Sequence, residues 1–119
     1  MISTMLWSVD LSSRTPLAAQ IAGCVRRAVA EKALTHGDRL PPAAELGEAL
    51  GVDRNTVLAA YRNLRNEGLV EFRRGRGVRV ADGAGRRAVV PDAVARLVEL
   101  ARAEGYSRAE LIALIERTA

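Results

Sequence analysis

Apolar residues recur near the start of the chain at Leu17, Ile21, Cys24 or Val25, and Ala28, the three-and-four spacing of a helix that buries one face. The spacing predicts a first helix entered through Ser13-Arg14-Thr15-Pro16, with Thr15 as N-cap and Pro16 in the first turn, where its missing N–H costs nothing. Ahead of it, Met5 to Val9 reads as a short extended segment. His36-Gly37-Asp38 stops the helix, Leu40-Pro41-Pro42 restarts the chain, and Ala43 to Leu50 forms a short second helix. Gly51 suits a left-handed helix stop, Val52 is a small apolar plug, and Asp53 caps a third helix running to about Glu67. On this third helix Val57, Tyr61 and Leu64 share the inner face, and Asn55, Ala59, Arg62 and Asn66 share the outer one.

The period then changes. Leu69 to Arg73 and Val78 to Val80 read as two strands, with Arg74-Gly75-Arg76-Gly77 as the hairpin tip. Asp82-Gly83-Ala84-Gly85 has the composition of a flexible boundary, and Asp92 to Glu104 and Ser107 to Thr118 are helical again, the last opened by the capping box Ser107-Arg108-Ala109-Glu110. The expected fold is mainly α with a small β-wing, a winged helix-turn-helix domain over residues 1–82 followed by a two-helix segment over 83–119. Val94, Leu97, Val98 and Ala101, with Leu111, Ile112, Leu114 and Ile115, are more apolar surface than one helical hairpin can hide, so a second copy is expected to cover the rest.

Composition sharpens this picture at two points. With 119 residues, 49% of them apolar and only 3% aromatic, the core must be built from Leu, Val, Ile and Ala in one main domain. Charge is localised: residues 51–87 carry nine Arg against Asp53, Glu67, Glu71 and Asp82, a net of +5, whereas 1–50 are balanced and 88–119 carry a net of −1. Such an arginine-rich middle is the footprint of a polyanionic partner, nucleic acid above all. The single Cys24 excludes an internal disulfide, and neither a secretory signal nor a membrane span is visible, so the expected compartment is the cytoplasm.

Between Pro16 and Val80 the chain resembles the N-terminal domain of GntR-type regulators. The resemblance is carried by Pro16-Leu17, Gln20-Ile21, Gly37-Asp38-Arg39-Leu40-Pro41, Glu45-Leu46, Leu50-Gly51-Val52, Arg54-Asn55-Thr56-Val57, Ala60-Tyr61, Leu64, Glu67-Gly68-Leu69-Val70 and Gly75-Arg76-Gly77. The short tail is similar to the YtrA-type subfamily, whose members carry about two helices after the winged domain. The resemblance implies a sequence-specific regulator, a homodimeric repressor on an inverted-repeat operator of double-stranded DNA, with helix 3 in the major groove and the wing at the minor groove or backbone.

The residue types fit those roles. Arg54 can place its planar fork on guanine O6 and N7. Asn55 and Thr56 can bond a base edge or a phosphate at the positive helix end, and Arg62 lies on the same outward stripe. Gly75 and Gly77 let the wing backbone approach closely, while Arg74 and Arg76 can neutralise phosphates or enter a narrow minor groove. Two departures stand out: Ala44 where the family has a basic residue, and Asp53 where it has Ser or Thr, which brings a negative charge to the edge of the interface.

Other functions fare poorly. His36 stands without a ligand cluster, so no metal is expected, and Cys24, Trp7 and Tyr61 read as packing groups. No nucleophile with a base, paired carboxylates or phosphate-cradling loop is present, which argues against an enzyme and against a cofactor. The resemblance also extends to relatives bearing an aminotransferase-like domain with a cofactor lysine, and a chain ending in a completed helix at Ala119 is not expected to be of that kind. An architectural DNA-binding protein without a defined operator is the alternative. Whether a small-molecule effector exists is left open.

Overall fold

The computed structural model describes residues 7–119. Met5 and Leu6 of the expected extended segment lie outside them, and Trp7 to Val9 join no strand, although Trp7 is buried in the core.

Helix α1 (Leu17–Ala30) starts one residue later than its sequence suggests, with Pro16 at the cap position and no side-chain cap. Thr15 is not the cap. Its hydroxyl instead accepts from Arg102 Nη1 at 2.9 Å, a bond from the distant tail. The end is fastened by Gln20, whose amide donates to the Thr15 carbonyl at 2.8 Å and whose Oε1 accepts from the Asp10 N–H at 2.7 Å.

Helices α2 (Ala43–Leu50) and α3 (Arg54–Asn66) follow their expected bounds closely, and Gly51 between them is left-handed at φ 73°. The turn is tight because α2 carries Gly47. A Cβ there would lie 2.8 Å from the Val52 carbonyl oxygen and 3.3 Å from the Arg54 nitrogen, and the Val52 N–H donates to the Gly47 carbonyl at 2.9 Å. Val57, Ala60, Tyr61 and Leu64 of α3 are buried against α1 and α2. Tyr61 spans the layer: its Oη donates to the Pro41 carbonyl at 2.7 Å, and burial pushes the phenol above its usual pKa.

Strands β1 (Val70–Arg73) and β2 (Gly77–Val80) pair antiparallel from Val70↔Val80 to Arg73↔Gly77. The outer edge of β2 is occupied as well. Leu40 N–H donates to the Val78 carbonyl at 2.8 Å and Val80 N–H to the Asp38 carbonyl at 2.9 Å, forming one bridge at Arg39↔Arg79. The hairpin is thereby stitched to the segment that leads into α2.

The stretch with the composition of a flexible boundary is packed structure. After Gly83, left-handed at φ 74°, comes α4 (Ala84–Arg87). Ala81, Ala84 and Ala88 are buried, being small enough for this turn to rest on α1. Helix α5 (Val89–Ala103) then begins three residues before Asp92, taking Pro91 into its first turn, where proline is tolerated. Helix α6 (Arg108–Thr118) opens with the expected capping box, Ser107 and Glu110 bonding each other's backbone N–H groups.

Helix α5 faces the core the unusual way round. Its polar stripe of Asp92, Glu99 and Arg102 lies on the α1 side, while Val89, Val90, Val94, Leu97 and Leu100 are exposed. Two of the residues expected at a dimer contact, Ala101 and Leu111, are buried within the protomer; Val94, Leu97, Leu114 and Ile115 are exposed and Val98 is half-buried.

The close approach at Gly47 makes a definite prediction. Gly47→Ala should destabilise the fold by about 1–3 kcal/mol despite the better helix propensity of alanine, because backbone rather than a movable side chain receives the new methyl. Gly23→Ala in α1, where a Cβ would meet nothing within 4 Å, should be neutral or stabilising. The urea unfolding midpoint should fall for Gly47→Ala and hold or rise for Gly23→Ala, and a stabilised Gly47→Ala would contradict this packing.

Candidate nucleic-acid interface

The first turn of α3 is built by Asp53. Its Oδ1 accepts from the Asn55 N–H at 2.6 Å and its carbonyl from the Thr56 N–H at 3.0 Å, so the carboxylate sits at the positive end of the helix. Arg54 and Asn55 are exposed there and Thr56 is half-buried. Arg62 and Asn66 continue the outward stripe, whereas Ala59 within it is half-buried. From Asn55 to Arg62 the helix rises about 10 Å, enough to span several base steps.

The wing tip carries Arg74, Gly75 and Arg76 in the open, with Gly75 left-handed at φ 75° and the Arg76 N–H donating to the Arg73 carbonyl at 2.9 Å. Nothing lies within 4 Å of the space a Gly75 side chain would fill, so this backbone is bare. The tip and the first turn of α3 are separate clusters, held to one another through Gly68, β1 and the stitched edge of β2.

The arginines on the outer face of α3 and at the wing tip are exposed. Among the described residues, ion pairs take up Arg26 with Glu67, Arg27 with Glu31, Arg73 with Glu71 and Arg96 with Asp92. Arg54, Arg62, Arg74 and Arg76 enter none. Their charge is uncompensated inside the protomer and available to phosphates outside it.

Three supporting residues were not legible as such. Arg79 donates through Nε to the Arg76 carbonyl at 3.2 Å and through Nη1 to the Gly37 carbonyl at 3.0 Å, bracing the tip. Arg65 at the end of α3 lies 4.6 Å over the Phe72 ring of β1, a cation–π contact that ties wing to helix. Arg39 runs beside the tip, its Nε 3.1 Å from where a Gly77 Cβ would stand. The half-exposed Phe72 on an otherwise charged strand was the one available signal, since an apolar ring there needs a cover.

His36 approaches Asp82 at 3.9 Å and is exposed, Cys24 is half-buried at the rim of the core, and no cluster of three or more metal-ligating side chains occurs among the described residues. Nor is any described helix long and apolar enough to cross a membrane.

Comparison with known proteins agrees with this geometry. The family model for bacterial regulatory proteins, gntR family, matches residues 17–80. The HTH-type transcriptional repressor YtrA of Bacillus subtilis is 34% identical over 76 residues, 64% of this chain and 58% of that one. An HTH-type transcriptional regulator of Mycobacterium tuberculosis is 34% identical over 102 residues, 86% of this chain and 84% of that one. The chain thus spans less than two thirds of the Bacillus repressor, and its match to the Uxu operon regulator of Escherichia coli covers only 26% of that protein. Among solved structures, YtrA from Sulfolobus acidocaldarius, a GntR-family transcription factor, superposes with a TM-score of 0.61 at 30% identity, covering 94% of this chain and 95% of that one.

The position of Asp53 generates a test. Asp53→Ser keeps a capping oxygen and removes a negative charge from the edge of the arginine surface. Binding to duplex DNA should tighten with almost no change in Tm. Equal or weaker binding by the variant would place Asp53 away from the phosphates.

Proposed function

This chain belongs to the gntR family of bacterial regulatory proteins, in its YtrA-like subfamily, and carries that family's winged helix-turn-helix, the fold of DNA-binding regulators of transcription; we propose that it acts as a homodimeric repressor on an inverted-repeat operator. The observation that carries this reading is that α3 and the wing tip hold Arg54, Arg62, Arg74 and Arg76 exposed on one basic stretch of chain, none of them taken up by an ion pair among the described residues. In this reading residues 1–82 read DNA and residues 83–119 dimerise, in the cytoplasm. Arg54 forks onto a guanine edge, Asn55 and Thr56 bond the neighbouring base or phosphate, and Arg62 holds the backbone beside them. Arg74, Gly75 and Arg76 rest on the backbone or in the adjacent minor groove.

Dimerisation follows from the inverted face of α5. Val89, Val90, Val94, Leu97 and Leu100, with Ile112, Leu114 and Ile115 of α6, form an apolar surface that a single chain in water would not leave open. A two-fold pairing through it sets two α3 helices on successive major grooves, about one helical turn apart. Sedimentation at micromolar concentration should give a dimer, and Leu97→Glu should give a monomer that has lost most operator affinity. A parent chain that sediments as a monomer and still binds tightly would refute this arrangement.

Reading and holding should separate by mutation. Arg54→Ala should cost about 1–3 kcal/mol and relax discrimination at one symmetric pair of base positions, with Arg54→Lys giving incomplete rescue. Arg76→Ala should weaken operator and non-operator DNA alike and lower the salt slope by about one per site. Titrations of matched and single-base-changed operators at two salt concentrations read both effects. A uniform loss for Arg54→Ala would remove its base-reading role, and equal affinity of the parent for every sequence would favour an architectural protein instead.

A further inference from the structure

The polar side of α5 packs on α1 but leaves a gap beside the contact. Between them, and walled on the third side by residues 8–15, lies a cleft of about 820 Å³, within the range of small-molecule sites. Four arginines line it from three parts of the chain: Arg14 from the N-terminal segment, Arg27 from α1, and Arg96 and Arg102 from α5. A helix that turns charge toward its own domain and hydrocarbon toward solvent is costly unless both faces meet something. In the reading proposed above, the outer face is covered by a second copy. We propose that the inner cleft binds a small anionic metabolite bearing carboxylate or phosphate groups, gripped by guanidinium groups of α1 and α5 together.

The support for an anion lies in free donors rather than in net charge, since the four guanidinium groups meet three carboxylates of the cleft and Glu31 on Arg27. Of the three carboxylates at the cleft, Asp10 accepts from the Ser12 hydroxyl at 2.6 Å and from the Ser12 N–H at 3.0 Å, and buried Asp92 is held by Arg96 Nη2 at 3.3 Å. Only Glu99 has no partner among the described residues. The arginines are far from saturated. Arg27 uses Nε on Glu31 at 2.8 Å and Arg102 uses Nη1 on Thr15 at 2.9 Å, so each keeps further N–H donors of its planar fork for a bidentate oxyanion. Thr15, which the first helix does not use as a cap, is thereby explained as the group that orients Arg102 at the rim.

A ligand held from both sides joins the winged domain to the helix that carries the dimer face. Its consequence for DNA rests on the functional reading above: fixing α5 against α1 fixes the spacing of the two α3 helices, so the anion should change operator affinity from a site remote from the unpaired arginines of α3 and the wing.

The test is calorimetric titration of the full chain, without DNA, using inorganic phosphate and citrate separately at constant ionic strength against chloride. At least one probe should bind saturably, and the stronger of the two identifies the ligand class. Arg96→Gln should weaken that binding about tenfold or more. Glu99→Gln should tighten it about threefold, a gain that misfolding cannot mimic. The double variant Arg54→Ala, Arg76→Ala should bind as the parent does. Absence of saturable binding overturns the proposal. So does binding that survives Arg96→Gln but disappears in the double variant, because the anion would then sit on the DNA face. Since no DNA is present, failure here leaves the operator reading intact, and failure of operator binding leaves the cleft result intact.

Discussion

The backbone approach of Gly47 to Val52 and Arg54 is the constraint on which the remaining geometry rests. It brings the end of α2 within van der Waals contact of the start of α3 and so fixes the angle between them. Given that angle, Val57, Tyr61 and Leu64 reach the core, Tyr61 reaches the Pro41 carbonyl, and Asp53 falls where its carboxylate can cap the first turn of α3. Arg54 is exposed at the helix end as a consequence of packing on the opposite side. The orientation of α3 is therefore set by a residue with no side chain, placed in a helix where glycine is locally unfavourable.

The wing depends on the same frame through different bonds. Its outer strand is held by Leu40 and Asp38, on the segment that leads into α2, and its inner strand is covered at Phe72 by Arg65 from α3. Some arginines of the middle third thus brace the wing, as Arg79 and Arg65 do, while others are left without partners. Composition alone could locate the basic charge but could not divide it between these two uses, because that division depends on which guanidinium finds a carbonyl or a ring across the fold.

Local chemistry was the legible part. Gly51 as a left-handed stop, Asp53 as a cap, the two-strand hairpin around Gly75 and the capping box at Ser107 each involve residues near one another in sequence, and all are found. Thr15 misled because its hydroxyl has a distant partner in Arg102. Asp82 to Gly85 misled because glycine and alanine suit a loose linker and a close-packed turn equally well, and only the buried neighbours of Ala84 decide between them. For α5 the apolar stripe was visible, but not that the opposite, charged stripe would face its own core. Ala101 and Leu111 lie inside the protomer at the junction of α5 and α6, while their neighbours in the same stripe lie outside. Among the candidate interface residues, Arg54, Asn55, Arg62, Arg74, Gly75 and Arg76 are exposed as their positions in the pattern required, and Thr56 is half-buried.

In the proposed complex DNA meets the first turn of α3 and the wing tip together. Amide chemical-shift perturbation during titration of the labelled chain with a duplex operator measures this most directly. The largest shifts should fall on Arg54 to Thr56 and on Arg74 to Gly77, with smaller ones along α3 to Arg62 and little change at the N–H groups of α2 that face the core. Perturbations centred on α5 and α6, with the first turn of α3 unmoved, would contradict it.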